Sequence, residues 1–232
     1  CLCDLENMQF LFAIVVLALI GTVLSYHGVD VSQATSQSDF SCMKSNGYSF
    51  AIVRVYCSSG HTDSNGPTTM HNAWNGGMSH VDGYIFPCYS CGNPAKQMDD
   101  TISYLSSHAV RFGGASNGTE SVGVSYGMLW IDVEGTQYWS SSTSNNVNFI
   151  QQMVDEGKKK GVSIGIYTSN SQWSPITGGS TAFKSYPLWY PHYDNSASFS
   201  DFVPFGGWTK PAIKQYAGDV SFCGAGVDKN YY

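Results

Sequence analysis

The sequence predicts one α/β domain, a modified TIM-like barrel of the (β/α)5(β)3 kind. Over the first two thirds of the chain, short β-rich apolar runs alternate with helical patterns, which is typical of a parallel sheet with helices outside it. In the last third, three further strand-like runs are separated by segments rich in Gly, Pro, Ser and Trp, with no proper helix between them. A chain of 232 residues can form such a barrel as a single unit.

The amino-terminal segment is predicted to lie outside this domain. Residues 10–24 are almost wholly apolar, short for a membrane span, and end in small or polar residues, as in the core of a signal peptide. We take Met8 as the natural first residue and expect cleavage after Ser25. The prediction is therefore upstream residues and a signal peptide over 1–25 and the barrel domain over 26–232. An uncleaved amino-terminal anchor is the alternative.

The predicted elements follow from hydrophobic period and from start and stop residues. Strands are predicted at 27–31, 50–56, 81–88, 128–133 and 162–168, and helices at 38–46, 67–78, 94–110 and 144–160. Ser38 is a candidate cap of the first helix, Gly47 ends it, and Gly161 ends the helix 144–160. The three later strands are predicted at 188–193, 212–216 and 227–228.

Acidic residues stand at the ends of several predicted strands. Asp30 ends the first strand, Asp132 and Glu134 end the fourth, and Asp228 ends the last. Because barrel enzymes carry their function at the carboxyl ends of the strands, we expect these four carboxyl groups to share one rim.

Asp132 and Glu134 are two residues apart on a strand, so both point into the barrel mouth while Val133 points to the helices. Repulsion between them and partial burial are expected to raise one pKa, which gives a proton donor beside an ionised partner. Cleavage of a glycosidic bond needs such a pair. Glu134 has the longer reach and is predicted to be the general acid, with Asp132 stabilising charge or orienting a substrate group. Two solvated acids at an exposed strand end are the alternative.

Aromatic residues crowd the same predicted rim. Aromatic rings pack against the apolar faces of sugars, and tyrosine hydroxyls bind their edges, so the crowding favours a sugar site. Taken singly, each ring is more often a core residue than a ligand contact. The candidate substrate contacts among them are Tyr89, Tyr167, Trp189, Tyr193 and Tyr216, and Asp228 is a further candidate.

Composition and missing motifs exclude several other classes. The formal net charge of −6 argues against a protein that binds nucleic acid or anionic membranes. The pair Cys88 and Cys91 has the spacing of a zinc or redox motif, but no partner motif follows it. No nucleophile elbow, phosphate-binding loop or zinc-type histidine pair is present. No cofactor and no metal are expected. Asn117 is a possible glycan acceptor.

Six motifs follow one another along the chain: Gly28-Val29-Asp30-Val31-Ser32, Trp130-Ile131-Asp132-Val133-Glu134, Gly165-Ile166-Tyr167-Thr168, Pro187-Leu188-Trp189, Gln215-Tyr216 and Val227-Asp228 with Asn230. In this order they resemble the motifs of glycoside hydrolase family 25 lysozymes. The segment 86–92 and Phe205-Gly206-Gly207-Trp208 make the resemblance closest to the animal and protist branch, typified by nematode lysozymes. The resemblance covers essentially the whole predicted mature chain. It implies a flattened barrel and hydrolysis of the β-1,4 bond between N-acetylmuramic acid and N-acetylglucosamine in bacterial peptidoglycan. It also implies Glu134 as the acid, with Asp132, Asp30 and Asp228 in support.

The cysteines allow two disulfides in an oxidising compartment, because five remain after the predicted cleavage site and one is left over. Cys57 matches no cysteine expected from the resemblance, which makes Cys42, Cys88, Cys91 and Cys223 the disulfide candidates. The pairing itself does not follow from the sequence.

The residues allow more than one mechanism and more than one function. A substrate-assisted mechanism, in which the acetamido group of the sugar attacks, is favoured slightly over a carboxylate nucleophile. A non-catalytic glycan-binding protein on the same fold and a chitin-directed hydrolase are the alternative functions. We expect a monomer that acts on bacterial peptidoglycan, secreted or in a lysosomal or phagosomal lumen, in digestion or in antimicrobial defence, with an activity optimum below neutral pH.

Overall fold

In the computed structural model, which describes residues 25–113 and 123–232, a ring of eight strands closes into a barrel. The strands are β1 His27–Val31, β2 Tyr48–Cys57, β3 His61–Thr62, β4 His80–Ile85, β5 Val110–Phe112, β6 Val124–Tyr126, β7 Leu129–Asp132, β8 Ile164–Tyr167, β9 Leu188–Pro191, β10 Ile213–Phe222 and β11 Ala225–Tyr231. The helices are α1 Gln37–Ser45, α2 Gly66–Asn75, α3 Pro94–Ser107, α4 Thr143–Lys159 and α5 Asn170–Thr177, with short 3-10 helices at Tyr89–Cys91 and Thr136–Tyr138.

The barrel order is β1-β2-β4-β7-β8-β9-β10-β11, and β11 returns to pair with β1. The strands from β1 round to β10 run parallel, whereas β11 is antiparallel to both of its neighbours. β3 extends β2 outside the ring, and β5 pairs with β6 in a separate small sheet. This arrangement confirms the predicted modified α/β barrel.

In the last third of the chain, one helix had no predicted range and one prediction was wrong. The segment after β8 forms the fifth helix of the (β/α)5(β)3 barrel, α5, although its serines and Pro175 are poor interior helix residues. Tertiary packing stabilises this helix: Trp173 is fully buried, packs edge-to-face against Phe183 and Trp208, and donates its Nε1–H to the carbonyl oxygen of Ser180. Strand β11 also extends three residues past Asp228, so that residue lies within the strand instead of ending it.

Large rings fill the barrel interior. A buried cluster of Phe50, Ile52, Trp130, Tyr167, Trp189 and Ile213 lies inside the ring of strands, apart from the core between strands and helices. Two glycines make room for these rings: a Cβ on Gly28 would stand 2.4 Å from Phe50, and one on Gly165 would stand 2.3 Å from Trp130. The interior is therefore solid below the mouth, and the functional site lies above it.

Two disulfides join the four cysteines implied by the family resemblance. Cys42 in α1 bonds to Cys223 in the turn between β10 and β11, and Cys88 bonds to Cys91. Cys57 carries a free thiol. None of the helices in the described ranges is long and apolar enough to cross a membrane. The predicted signal peptide up to residue 24 and the possible glycan acceptor Asn117 lie outside the described residues.

Candidate active site

Pairing between strands brings the carboxyl groups together at the barrel mouth. Asp30 on β1 lies directly opposite Asp228 on β11 in the antiparallel register. Opposite residues of such a pair have their Cβ atoms roughly 4.5–5.5 Å apart, so the two side chains are neighbours. Asp132 is the last residue of β7 and pairs with Tyr167 on β8.

The loop after β7 presents Glu134. Val133 is fully buried and donates its N–H to the carbonyl oxygen of Tyr167 (2.8 Å), which continues the strand alternation one residue beyond β7. The Nε1–H of Trp139 binds the carbonyl oxygen of Glu134 (2.9 Å), and the N–H of Gly135 binds Oε1 of Gln172 (2.9 Å). The Glu134 backbone is therefore held from both sides, while its carboxyl group is half-buried at the mouth.

A network that was not predicted links the carboxyl groups to the rings. Gln215 is buried and donates from Nε2 to Oδ1 of Asp30 (2.8 Å) and to Oδ2 of Asp228 (3.0 Å). Its Oε1 accepts hydrogen bonds from the hydroxyls of Tyr167 (2.7 Å) and Tyr193 (2.8 Å). In the sequence, Gln215 stands out only as part of one motif of the family resemblance. No periodic pattern marks a buried amide as a junction of this kind.

Asn230 completes the network from β11. Its Nδ2 donates to Oδ1 of Asp30 (2.7 Å), and its Oδ1 accepts from Nε1 of Trp189 (2.7 Å). One oxygen of Asp30 thus receives two amide donors, which fixes its orientation.

Burial governs the protonation of Asp30 and Asp132. Burial, reinforced by the charge of Asp228, raises the pKa of Asp30 to about 8, against the lowering effect of its two amide donors. Burial and then the charge of Glu134 raise the pKa of Asp132 well above its usual range. Oδ1 of Asp132 is also buried without a hydrogen-bond partner among the described residues. An unpaired buried oxygen is costly, so a hydrogen bond donated to Oδ1 by a bound group would be favourable.

The two remaining carboxyl groups face the mouth. Burial and the charge of Asp228 raise the pKa of Glu134. Burial likewise raises the pKa of Asp228, although the N–H of Asp219 donates to its Oδ1 (2.7 Å) and opposes the shift. All four groups therefore hold their protons more strongly than exposed carboxyls do, which favours a proton donor at this site.

Three of the predicted aromatic contacts adjoin the carboxyl groups. Tyr167 and Trp189 are buried in the barrel interior with ring centroids 4.5 Å apart, and both bind the amide network. Tyr193 remains 57% exposed while its hydroxyl reaches Gln215, so its ring is open at the mouth.

Tyr216 and Tyr89 are not brought to the carboxyl groups. Gln215 points into the barrel, so its neighbour Tyr216 points outward. There the hydroxyl of Tyr216 is hydrogen-bonded to the hydroxyl of Tyr48 (3.2 Å) and to Nδ1 of His27 (3.4 Å). Tyr216 was expected at a strand end, but β10 continues to Phe222. Tyr89 stacks on Trp139 and Phe149, one ring removed from Glu134.

A cluster of ligand-type atoms on His192, Asp194 and Asp201 lies outside the mouth. The buried ammonium group of Lys214 stands 2.8 Å from an oxygen of each carboxylate. It already supplies the cation that these acids need, so we interpret the cluster as an ion-pair network and not as a metal site.

Comparisons with known proteins agree with this geometry. The family model described as "Lys-1: Lysozyme-like protein 1" matches residues 22–216. The chain is 45% identical over 215 residues to "Probable GH family 25 lysozyme 2" of Dictyostelium discoideum, covering 93% of this chain and 94% of that protein. It is 37% identical over 209 residues to "Lysozyme-like protein 5" of Caenorhabditis elegans, covering 88% and 90%.

Among solved structures, a muramidase from Acremonium alcalophilum superimposes with a TM-score of 0.69 at 25% sequence identity, covering 88% of this chain and 92% of that chain.

Proposed function

The chain belongs to the glycoside hydrolase family 25 lysozymes, and we propose that it hydrolyses the β-1,4 bond between N-acetylmuramic acid and N-acetylglucosamine in bacterial peptidoglycan. The observation that carries the proposal is the contrast between two neighbouring carboxyl groups. Glu134 is half-buried at the mouth with a raised pKa, and Asp132 is 4% exposed with an unpaired oxygen. The first suits a proton donor and the second suits a group that receives a substrate N–H.

Glu134 acts as the general acid. Its proton passes to the glycosidic oxygen as the bond between that oxygen and C1 breaks. The raised pKa extends to higher pH the range in which Glu134 keeps this proton. With its pKa raised to about 8, Asp30 is mostly uncharged at neutral pH, which reduces the repulsion among the acids at the mouth.

Asp132 assists the acetamido group of the substrate. The acetamido carbonyl oxygen forms a bond to C1 as the leaving group departs, and Oδ1 of Asp132 accepts a hydrogen bond from the acetamido N–H. The Glu134 carboxylate then takes a proton from a water molecule that attacks C1. This attack breaks the new bond between C1 and the acetamido oxygen, and the configuration at C1 is retained overall. A direct attack by Asp132 on C1 is less favoured, because its carboxyl group is deeply buried and tends to hold its proton.

Product analysis tests the proposal. Purified mature protein is incubated with peptidoglycan, and the fragments are identified by mass spectrometry. Reducing-end muramic acid is expected. Reducing-end glucosamine would contradict the muramidase assignment. Cleavage of chitin as fast as of peptidoglycan would favour the chitin-directed alternative. Binding to cell walls with no release of reducing ends would support a glycan-binding protein.

Glu134→Gln is the matched variant. It removes the proton donor and keeps the shape, so we expect the turnover rate to fall by about 10²–10⁴-fold. The melting temperature should not fall, because the amide replaces a carboxyl group that burial disfavours in its charged form. Clearing of bacterial walls at the wild-type rate would remove Glu134 from the mechanism.

The two disulfides support an oxidising location, so we propose a protein that is secreted or lies in a lysosomal or phagosomal lumen. We propose that it acts there as a monomer, without a cofactor, in the digestion of bacteria or in antimicrobial defence. The signal peptide is tested by sequencing the amino terminus of the exported protein, which should begin at Tyr26.

A further inference from the structure

A groove between two loops of the barrel mouth has no part in the mechanism above. One wall is the loop after β4, with the 3-10 helix Tyr89–Cys91, and the other is the loop after β7, with the 3-10 helix Thr136–Tyr138. The groove continues onto the first turns of α4. Two adjoining cavities of about 290 and about 320 Å³ form it and share Tyr89 and Ser90. We call it the β4–β7 loop groove.

The inner end of this groove adjoins the general acid. Trp139 lines the groove and also binds the carbonyl oxygen of Glu134 through Nε1. Tyr138 is 45% exposed and lies across Gly135, where a Cβ would stand 2.6 Å from its ring. The ring of Phe86 supports it at a centroid distance of 5.2 Å. A chain bound across Glu134 therefore meets the groove as its next surface.

The outer end of the groove carries a row of free amides over aromatic rings. Asn145, Asn148 and Gln152 lie three and four residues apart on α4, so they share one face, and all three are exposed. Tyr89 and Phe149 form the floor, with ring centroids 5.1 Å apart. Amides that donate and accept beside aromatic rings match the hydroxyl, acetamido and apolar faces of N-acetylated sugars.

The absence of charged side chains from the groove lining favours the glycan strand over the stem peptides of peptidoglycan as its ligand. Neither cavity is lined by an Asp, Glu, Lys, Arg or His side chain. The stem peptides of peptidoglycan carry carboxylates, and a site for them would need cations. A neutral, amide-lined groove instead suits the uncharged hydroxyl and acetamido groups of the glycan strand.

We propose that the β4–β7 loop groove is an extended subsite that binds N-acetylated sugar units beyond those at the cleaved bond. This inference rests on the proposed function, since it assumes that the glycan strand crosses Glu134. It makes the enzyme selective for long strands over short oligosaccharides.

The test compares the variant Asn148→Ala/Gln152→Ala with wild type on glycan strands that keep their stem peptides and on strands stripped of them. On long strands we expect kcat/KM to fall about tenfold, which corresponds to ~1.4 kcal/mol and to roughly one or two net hydrogen bonds. On the shortest strand that wild type cleaves, the rate should change by less than about twofold. Gln151→Ala is the control, because it removes an amide of the same helix that does not line the groove.

Three outcomes would overturn the inference: an equal loss on long and short strands, no loss on either, and a loss confined to strands that still carry peptides, which would assign the groove to the stem peptide. A binding measurement keeps the test independent of catalysis. Long labelled strands are titrated into Glu134→Gln with and without the groove substitutions, and weaker binding by the groove variant supports the proposal. Wild-type protein that cleaves no strand would refute the proposed function, while this binding comparison would still decide the groove.

Discussion

Gln215 is the residue on which the order of the mouth depends most. A primary amide has two N–H donors and a carbonyl oxygen with two lone pairs. Gln215 uses all four: its donors bind Asp30 and Asp228, and its oxygen accepts from Tyr167 and Tyr193. It holds two carboxyl groups, one interior ring and one mouth ring in a single geometry.

Replacing Gln215 by Met tests this role, because Met has a similar size and no donors. Buried partners left without hydrogen bonds are expected to lower the free energy of unfolding by about 1–3 kcal/mol or more. The pKa of Asp30 should rise further, since a hydrogen bond from Gln215 lowers it in the native protein. Urea unfolding and an NMR titration measure the two effects. Gln151→Met on the surface of α4 is the control, and the same small change in both variants would contradict the prediction.

At the scale of elements, the segment between β9 and β10 is fixed by an ion-pair clamp. Lys214 is fully buried and binds Asp194 and Asp201, whereas its neighbour Gln215 faces into the barrel. Tyr193 lies in this segment and reaches Gln215 with its hydroxyl. Tyr193 is therefore positioned by both faces of β10: Gln215 binds its hydroxyl, and Lys214 binds the neighbouring Asp194.

Lys214→Met should loosen this segment, because it leaves two carboxylates without their shared cation. We expect a loss of about 2–3 kcal/mol in unfolding free energy, less than for a fully buried pair because both carboxylates are partly exposed. The pKa of Asp201, which this contact helps to hold at about 2, should rise. Proteolysis between residues 192 and 203 should become faster. Adding Asp194→Asn and Asp201→Asn should restore part of the stability, and no recovery would argue against the clamp.

The disulfide between α1 and the β10–β11 turn also acts between elements. It closes a loop across a sequence separation of 181 residues, whereas Cys88–Cys91 spans 3. Because the stabilisation by a cross-link increases with loop length, Cys42→Ala/Cys223→Ala should cost about 2–5 kcal/mol. Cys88→Ala/Cys91→Ala is the matched control and should cost less. Thermal unfolding of both pairs decides the order, and a reversed order would show that local packing dominates.

At the scale of the whole molecule, the raised carboxyl pKa values set the pH dependence of stability. The folded protein binds more protons than the unfolded chain between the ordinary carboxyl pKa near 4 and the native values, so stability falls as pH rises through that window. With Asp30 at about 8, the window extends to about pH 8. The raised pKa of His80 acts in the same direction.

We therefore expect the free energy of unfolding to be at least about 1 kcal/mol greater at pH 5 than at pH 8. Asp30→Asn should reduce this slope, because an amide keeps an acceptor for Gln215 and Asn230 and does not ionise. Urea unfolding at a series of pH values measures it. Activity should also be greatest below neutral pH, where Glu134 keeps its proton. Stability that rises from pH 5 to pH 8 would contradict the assignment.

The α/β barrel and the acidic pair at the end of β7 could be predicted from the amino-acid sequence alone. Hydrophobic period and strand alternation are properties of residues close in the chain, so they placed Asp132 and Glu134 on one face and predicted a mouth for them. The ordered motifs then identified the family. The position of Glu134 at a strand end needed no knowledge of distant contacts.

The assembly of the rest of the site depends on contacts between residues that are far apart in the sequence. Gln215 and Asn230 bind Asp30 across separations of 185 and 200 residues, and closure of the barrel by an antiparallel β11 brings them together. Helix α5 and the outward turn of Tyr216 depend on the same long-range packing. A local pattern contains no record of which distant strand will be its neighbour, so these contacts follow from closure of the ring alone.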